Sequence, residues 1–229
     1  MPIELETLKS LPLFRGLTSE QYQYVSEHGR KRTHRIGDAI VRKEDPGETF
    51  YMILQGTAKV STTFSDGKEV FLALLATGDT FGEMSLIDQS ARAADVITQE
   101  PTTLIVLDRT TFNHLMDSGS VFARNLLQIL ARRLRLANVR IQALATLDVY
   151  GLVARQILEF ADLYGQPQLN GEVLIPIRLT QTNMAELVGA SRERVNQVMV
   201  AYRQKEYITV DAAYHITVHL PEDLKRRCQ

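Results

Sequence analysis

The sequence has almost no cysteine and no long apolar run, and each absence excludes a class of protein. Its one cysteine, Cys228, is the penultimate residue, so disulfides and zinc or iron–sulfur sites built from several cysteines are excluded. No segment approaches the roughly 18 apolar residues that a membrane-spanning helix needs. The acidic N-terminus lacks the basic and apolar regions of a secretory signal. We therefore expect a protein that acts in the cytoplasm and has no membrane partner.

Charge is distributed unevenly along the chain, although the 229 residues carry a net charge of only −1. Residues 1–120 contain 12 Lys and Arg against 17 Asp and Glu, whereas residues 121–229 contain 14 against 10. An acidic first half joined to a basic second half suggests two domains with different partners and makes the second a candidate for binding a polyanion such as nucleic acid. Charge alone does not establish this partner, because a net charge of +4 over 109 residues is common on an ordinary soluble surface.

Short apolar runs separated by glycines occupy residues 35–107. Two of these runs, 49–54 and 70–75, lie shortly before a glycine, and Asp66-Gly67 between two runs is a typical hairpin turn. Glycines recur every 9–11 residues, at Gly37, Gly47, Gly56, Gly67 and Gly78. This spacing predicts a small antiparallel barrel or jelly roll.

A helical periodicity replaces this pattern from Val121. Apolar residues recur at alternating spacings of 3 and 4, as at the a and d positions of a coiled coil. They are Leu127, Leu130, Leu134, Ala137, Ile141 and Leu144. Because 121–146 contains neither glycine nor proline, we predict one long helix that pairs with a second copy of the chain, in preference to packing on its own domain. Two g positions carry the like charges Arg133 and Arg140, so charge pairing does not explain the association, and Arg133 is available for another role.

The segment 181–202 fits a helix-turn-helix at its constrained positions. Ala185 is small where the two helices cross, and Gly189 suits a turn with positive φ. Ser191 is placed to cap the second helix. Two alternating runs between residues 207 and 218 predict a hairpin wing, so we expect a winged helix-turn-helix rather than two unrelated amphipathic helices.

The second helix of this motif begins with side chains suited to base recognition. The residues predicted to contact DNA are Thr180, Gln181, Ser191, Arg192, Glu193, Arg194, Asn196 and Gln197. Arg192 can donate two hydrogen bonds to a guanine, and Glu193 can accept from cytosine N4. Asn196 and Gln197 can pair with adenine. These residues occupy the N-terminal turns, the part of a recognition helix that meets bases.

A second motif, residues 81–94, combines a glycine with two charged residues. Gly82 lets the backbone approach a ligand closely, and the short turn after it directs free N–H groups towards an anion. Arg92 offers two donors to a phosphate, while Glu83 can accept from sugar hydroxyls. Taken alone, this spacing is a weak signal.

Together these residues carry a resemblance to a known family. Residues 81–94 resemble the phosphate-binding cassette of cyclic-nucleotide-binding domains, and nearly the whole chain resembles the cyclic-AMP receptor protein (CRP/FNR) family of bacterial transcription regulators. The roll, the cassette, the helix with Ala-Arg-Arg-Leu, the hinge Leu-Asp-Val and the recognition unit Val-Gly-Ala-Ser-Arg-Glu-Arg-Val occur in the family's order. The resemblance implies an α+β fold: a jelly-roll-like cyclic-nucleotide-binding β-roll at 1–119, a coiled-coil dimerisation helix at 120–146 and a winged helix-turn-helix at 147–229.

The resemblance also implies a set of ligand-binding residues. They are Gly82, Glu83, Met84, Ser85, Arg92, Ala93, Arg133 and Asn138. In the family, residues at these positions bind the ribose 2′-hydroxyl (Glu83), the cyclic phosphate (Arg92 and backbone amides) and the purine (Arg133 and Asn138). Three positions depart from the cyclic-AMP receptors: Ala93 replaces a serine, Ala137 a threonine and Gln197 a second guanine-reading arginine. The first two leave the ligand's identity open, and the third leaves part of the operator open.

The implied function is that of a homodimeric transcription activator. Cyclic AMP would control its binding to a pseudo-palindromic, TGTGA-like DNA operator, and it would act through RNA polymerase without a metal, haem or iron–sulfur cofactor. A family member that needs no effector is one alternative, and a regulatory subunit that binds cyclic nucleotide but no DNA is a weaker one.

An enzyme is not expected. A jelly-roll metal enzyme holds its ion on a His-x-His pair, which none of the five histidines forms, and no nucleophile lies beside a suitable base. A haem sensor is disfavoured because no histidine occurs between residues 35 and 108. The five histidines are His28, His34, His114, His215 and His219.

Overall fold

The computed structural model describes residues 3–64 and 69–228. The chain divides into two compact units, Met1–Arg135 and Leu136–Gln229, and the boundary lies inside one long helix. The predicted Asp66-Gly67 turn lies outside the described residues.

The first unit contains two four-stranded antiparallel sheets, in the strand orders β1-β8-β3-β6 and β2-β7-β4-β5. The strands are β1 Arg30–His34, β2 Ala39–Val41, β3 Thr49–Gln55, β4 Ala58–Thr63, β5 Glu69–Leu75, β6 Thr80–Phe81, β7 Asp95–Thr98 and β8 Thr102–Asp108. The helices are α1 Leu5–Ser10, α2 Ser19–His28, α3 Glu83–Ile87, α4 Arg109–Asp117 and the greater part of α5 Ser120–Thr146. The predicted roll and the predicted long helix are thus confirmed.

Side chains of the first sheet are buried on both of its faces. Because successive residues of a strand point to opposite faces, Phe50 and Met52 on β3 pack with the helices, whereas Ile53 packs between the two sheets. On β8, Ile105 faces the helices and Leu104 faces the second sheet. This two-sided burial explains why β3 and β8 read as nearly continuous apolar runs.

The second unit is a winged helix-turn-helix, as predicted. It contains the end of α5, then α6 Val149–Tyr164, β9 Gln166–Pro167, β10 Val173–Ile175, α7 Gln181–Val188, α8 Arg192–Gln204, β11 Ile208–Val210, β12 Ile216–Val218 and α9 Pro221–Lys225. The strands form one antiparallel sheet in the order β11-β12-β10-β9, and the hairpin of β11 and β12 is the wing.

Local hydrogen bonds define where α7 and α8 begin. The Thr180 hydroxyl accepts from the backbone N–H of Asn183, whose side chain in turn accepts from the Thr180 N–H. The Ser191 hydroxyl accepts from the N–H of Arg194 at 3.2 Å. Gly189 between the helices has φ +67°, the left-handed conformation that the sequence predicts. The helix-turn-helix therefore follows from short-range chemistry.

Gly165 ends α6 for a steric reason. Its φ of −64° is open to any residue, so no left-handed conformation is needed. A β-carbon there would lie 2.1 Å from the Ala161 carbonyl oxygen and 2.5 Å from Val173 Cγ1. Glycine is required because α6 and β10 approach its α-carbon closely.

We predict that Gly165→Ala destabilises the second unit by about 3 kcal/mol, because the backbone oxygen of Ala161 cannot move aside cheaply. The control is Gly171→Ala: Gly171 has φ +82°, but a β-carbon added to it would meet no atom within 4 Å, so only about 1 kcal/mol of backbone strain is expected. Urea denaturation followed by circular dichroism measures both. A larger loss for Gly171→Ala than for Gly165→Ala would contradict the steric explanation.

Candidate functional site

Gly82 forms the turn between β6 and α3 in the first unit. Its φ is +84°, and a β-carbon would lie 2.8 Å from the Thr49 carbonyl oxygen and 2.7 Å from Arg92 Nη1. Both the left-handed backbone and the lack of space require glycine here. The turn thus brings the main chain directly against the guanidinium of Arg92.

Arg92 is a buried cation with a fixed orientation, only 5% exposed. Its guanidinium donates to the Gly82 carbonyl at 2.9 Å and to the carbonyl and hydroxyl of Thr49 at 2.7 and 3.0 Å, and it lies 5.8 Å from the centre of the Tyr51 ring. Burial lowers the pKa of Arg92 from its usual value, and the negative charge of Glu83 opposes that change. Because the acceptors are neutral oxygens, the positive charge is available to attract an anionic group.

Glu83 is 4% exposed and its two oxygens differ. Oε1 accepts a hydrogen bond from Arg133 Nη1 at 2.9 Å. Oε2 is buried and has no hydrogen-bond partner among the residues that the structure describes. A buried acceptor without a donor costs about 1–3 kcal/mol, so this oxygen suits a hydroxyl donor from a ligand.

Arg133 on α5 completes this site. In addition to Glu83, it donates to the backbone carbonyl and the hydroxyl of Thr80 at the start of β6. The sequence suggested only that Arg133 is available for a role other than charge pairing, and the resemblance placed it near the purine. In this structure it binds the carboxylate that is expected to hold the ribose.

The loop at residues 44–47, which the predicted motif did not include, packs against residues 81–94. A β-carbon on Gly47 would lie 2.0 Å from Ser85 Cβ, so the loop packs against the buried start of α3. The backbone of Arg92 bonds to this loop on both sides, donating to Asp45 and accepting from Glu44. The recurrence of glycine at position 47 was the one sequence signal for this contact.

The first unit therefore brings together four of the predicted ligand residues: Gly82, Glu83, Arg92 and Arg133. Ser85 is buried beside them, while Met84 and Ala93 are exposed. Asn138 lies further along α5, in the second unit, and is exposed.

The predicted seam on α5 is an exposed apolar stripe. Leu127, Leu134, Ile141 and Leu144 are exposed by 65, 64, 66 and 52%. Ala137 is also exposed, and Leu130 is partly buried against the core of the first unit. Large apolar side chains that are exposed in a row mark an interaction surface.

The predicted DNA-reading residues lie on the exposed face of α8. Arg192, Glu193, Arg194, Asn196 and Gln197 are exposed, whereas the residues between and after them that face the core are buried, namely Val195, Val198, Met199 and Tyr202. Gln181 on α7 donates to Asn196 Oδ1 at 2.7 Å, and Arg194 donates to Gln197 Oε1 at 3.4 Å. The first turns of α8 thus present two cations, a carboxylate and two amides on one surface.

Two kinds of feature are absent from residues 3–64 and 69–228. No helix in these ranges is long and apolar enough to cross a membrane. In the same ranges, no three His, Cys, Asp or Glu side chains are grouped so that they could hold a metal ion.

Comparisons with known proteins agree with this geometry. Residues 31–118 match the model of the cyclic nucleotide-binding domain, and residues 153–227 match that of the Crp-like helix-turn-helix domain. The chain is 29% identical over 224 residues to a CRP-like cAMP-activated global transcriptional regulator of Mycobacterium tuberculosis, covering 98% of this chain and 99% of the relative. It is 32% identical over 199 residues to the cyclic AMP receptor protein of Thermus thermophilus, covering 86% and 88%. The fold is similar to that of FixK2 from Bradyrhizobium japonicum, with a TM-score of 0.76 at 18% identity over 88% of this chain and 98% of that one.

The fold and the two sites define a DNA-binding transcription regulator that carries a cyclic-nucleotide-binding domain. The chain belongs to the CRP/FNR family, whose members are transcription regulators and not enzymes. The resemblance seen in the sequence is therefore confirmed.

The exposed seam generates a prediction about assembly. We expect the wild-type protein to be a dimer at micromolar concentration and Leu134→Glu to be a monomer, because the interface would bury a charge without a partner. Ile36→Glu is the matched control, since Ile36 is equally exposed but belongs to the loop between β1 and β2. Sedimentation velocity distinguishes the species. A Leu134→Glu protein that remains dimeric would show that α5 is not the interface.

Proposed function

We propose that this protein is a homodimeric transcription regulator whose DNA binding is controlled by cyclic AMP bound in the first unit. The observation that carries the proposal is the unpartnered, buried Oε2 of Glu83, together with the buried cation Arg92 across the Gly82 turn. A cyclic nucleotide offers the two complementary groups, a ribose hydroxyl and a phosphate. The names of the Mycobacterium and Thermus relatives support cyclic AMP as the nucleotide.

The ligand's phosphate and sugar are assigned to different side chains. Arg92 binds the cyclic phosphate through charge-assisted hydrogen bonds, with backbone amides near Gly82, Ser85 and Ala93 as further donors. Glu83 Oε2 accepts from the ribose 2′-hydroxyl while Oε1 stays bonded to Arg133. Since Ala93 has no hydroxyl, the phosphate receives one contact fewer here than in receptors with a serine.

The purine is assigned to α5. Arg133 and Asn138 lie where the family approaches the base, and Ala137 replaces a threonine that commonly touches adenine. A ligand can shift the DNA-binding domains only if it binds one arrangement better than another. We propose that this difference in ligand affinity arises at α5, because Arg133 connects α5 to the carboxylate proposed to bind the ribose. We assign the movement of the DNA-binding domains to the hinge Leu147-Asp148-Val149.

The DNA target follows from two-fold symmetry. Two copies of α8 read half-sites about one helical turn apart, roughly 34–36 Å, so the operator is pseudo-palindromic and TGTGA-like. Arg192 reads a guanine through O6 and N7, and Glu193 accepts from a cytosine N4 on the other strand. Gln197, a neutral amide in place of an arginine, weakens the preference for guanine at the outer position. The bound dimer activates transcription through RNA polymerase in the cytoplasm.

Calorimetry tests the ligand. We expect cyclic AMP to bind wild type more tightly than cyclic GMP does. Arg92→Ala should weaken cyclic AMP binding by about ten- to a hundredfold, because it removes a charge-assisted hydrogen bond worth roughly 1.5–3 kcal/mol. Arg30→Ala is the control, because Arg30 is an exposed arginine on β1. Absence of binding by wild type would favour a regulator without an effector, and unchanged binding by Arg92→Ala would contradict the proposed pocket.

Selection of binding sites from random DNA tests the reading of bases. Arg192→Ala should lose preference at one guanine of each half-site, because a bidentate contact contributes roughly 1–3 kcal/mol of discrimination. Gln197→Arg should gain preference for guanine at the outer position. Arg203→Ala, at the far end of α8, should leave the selected motif unchanged. If Arg192→Ala selects the wild-type motif, α8 docks differently from the proposal.

A further inference from the structure

Arg140 connects the dimerisation helix to the helix-turn-helix within the second unit. Its Nη2 donates to the backbone carbonyl of Leu187 at 2.5 Å. Arg140 lies near the end of α5, and Leu187 lies in the last turn of α7. A single side chain therefore links the helix that carries the apolar seam to the motif that reads DNA.

The acceptor in this contact, the carbonyl of Leu187, lies at the end of a helix and has no hydrogen-bond donor within that helix. The last four carbonyls of a helix have no partner within it, and a cation near that end is favoured by the helix dipole. Leu187 is 4% exposed, so water has little access to its surroundings. Arg140 thus supplies a buried carbonyl with a charged donor, which is among the stronger hydrogen bonds in proteins.

The guanidinium lies in a small cleft between α5, α6 and α7, with Glu159 of α6 on its wall. Burial lowers the pKa of Arg140 and raises that of Glu159, while the attraction between the two charges opposes both changes. Both side chains are partly buried. Because removing one charge leaves the other less well compensated, their attraction favours the observed packing of α5 on α6 and α7.

The position of Leu187 ties this contact to base recognition. Gly189 and the cap Ser191 follow within four residues, and α8 starts at Arg192. On the other side of the contact, Ile141 next to Arg140 is an exposed residue of the seam. The contact therefore lies between a seam residue of the second unit and the start of α8.

We infer that Arg140 is a positioning residue that holds α8 at a defined place relative to the α5 seam and thereby sets the half-site spacing that the dimer accepts. The inference rests on the proposed dimeric DNA binding and extends it. No contact between Arg140 and DNA is involved, so binding of one half-site by one helix-turn-helix does not depend on it.

The test uses the full-length protein and operators whose half-sites are at the selected spacing or one base pair closer or further apart. One base pair moves a half-site by about 3.4 Å and turns it by about 34°. We expect wild type to lose about tenfold or more in affinity with either change, because both half-sites cannot then be occupied at once. Arg140→Met keeps an apolar stem but has no donor. In this variant the affinity for the selected spacing should exceed the affinity for the altered spacings by less than about threefold.

Three controls separate positioning from a general structural role. Arg135 is an exposed arginine on the same helix, so Arg135→Met should keep the wild-type ratio of affinities for the selected and altered spacings. Affinity for a single half-site and for cyclic AMP should stay within about twofold of wild type in Arg140→Met, since neither site contains Arg140. The double variant Arg140→Met/Glu159→Gln removes both partly buried charges, so it remains informative where an unpaired carboxylate would impair folding.

The outcomes distinguish this inference from the function on which it rests. A wild type that is monomeric, or that binds all spacings equally, contradicts the proposed dimeric reader and the inference with it. A wild type that discriminates between spacings, together with Arg140 variants that discriminate equally, contradicts the inference alone. A selective loss of spacing discrimination in both Arg140 variants, with Arg135→Met unchanged, is the result that supports it.

Discussion

The buried carboxylate of Glu83 is the group on which the candidate ligand site depends. One oxygen is held by Arg133 of α5, and the other has no donor among the described residues. A buried acceptor without a donor is unfavourable, and a hydrogen bond from a ligand's hydroxyl would remove that free-energy cost. The proposed binding of a hydroxylated anion rests on this carboxylate together with the buried cation Arg92, and the long helix contributes Arg133 to the same site.

The long helix α5 makes two kinds of contribution. One face of α5 displays an exposed apolar stripe suited to a second copy, and another face supplies arginines to neighbouring elements. Arg133 and Arg140 occupy successive g positions, where like charges would be unfavourable between paired helices. Each is instead used inside its own compact unit, the first at Thr80 and Glu83 and the second at Leu187. The exposed stripe, rather than charge pairing, is therefore the feature of α5 that suits association with a second copy.

The exposed surface at the start of α8 depends mainly on local structure. The helix is capped at its start, its buried positions pack against α7 and α6, and the five polar side chains of its first turns are all exposed. A different residue at an exposed position of α8, such as glutamine at position 197, is therefore compatible with the same fold.

The sequence by itself determined the features that depend on neighbours within a few residues. Glycine spacing predicted the roll, the 3-and-4 periodicity predicted α5, and the residues at 189 and 191 predicted the turn and cap of the helix-turn-helix, because strand alternation, helix faces and caps are local properties. Only the tertiary structure decided which distant groups meet. Arg133 and Glu83 are 50 residues apart and Arg140 and Leu187 are 47 apart. Such pairs depend on sheet register, helix crossing and burial, which bring residues together irrespective of their spacing along the chain.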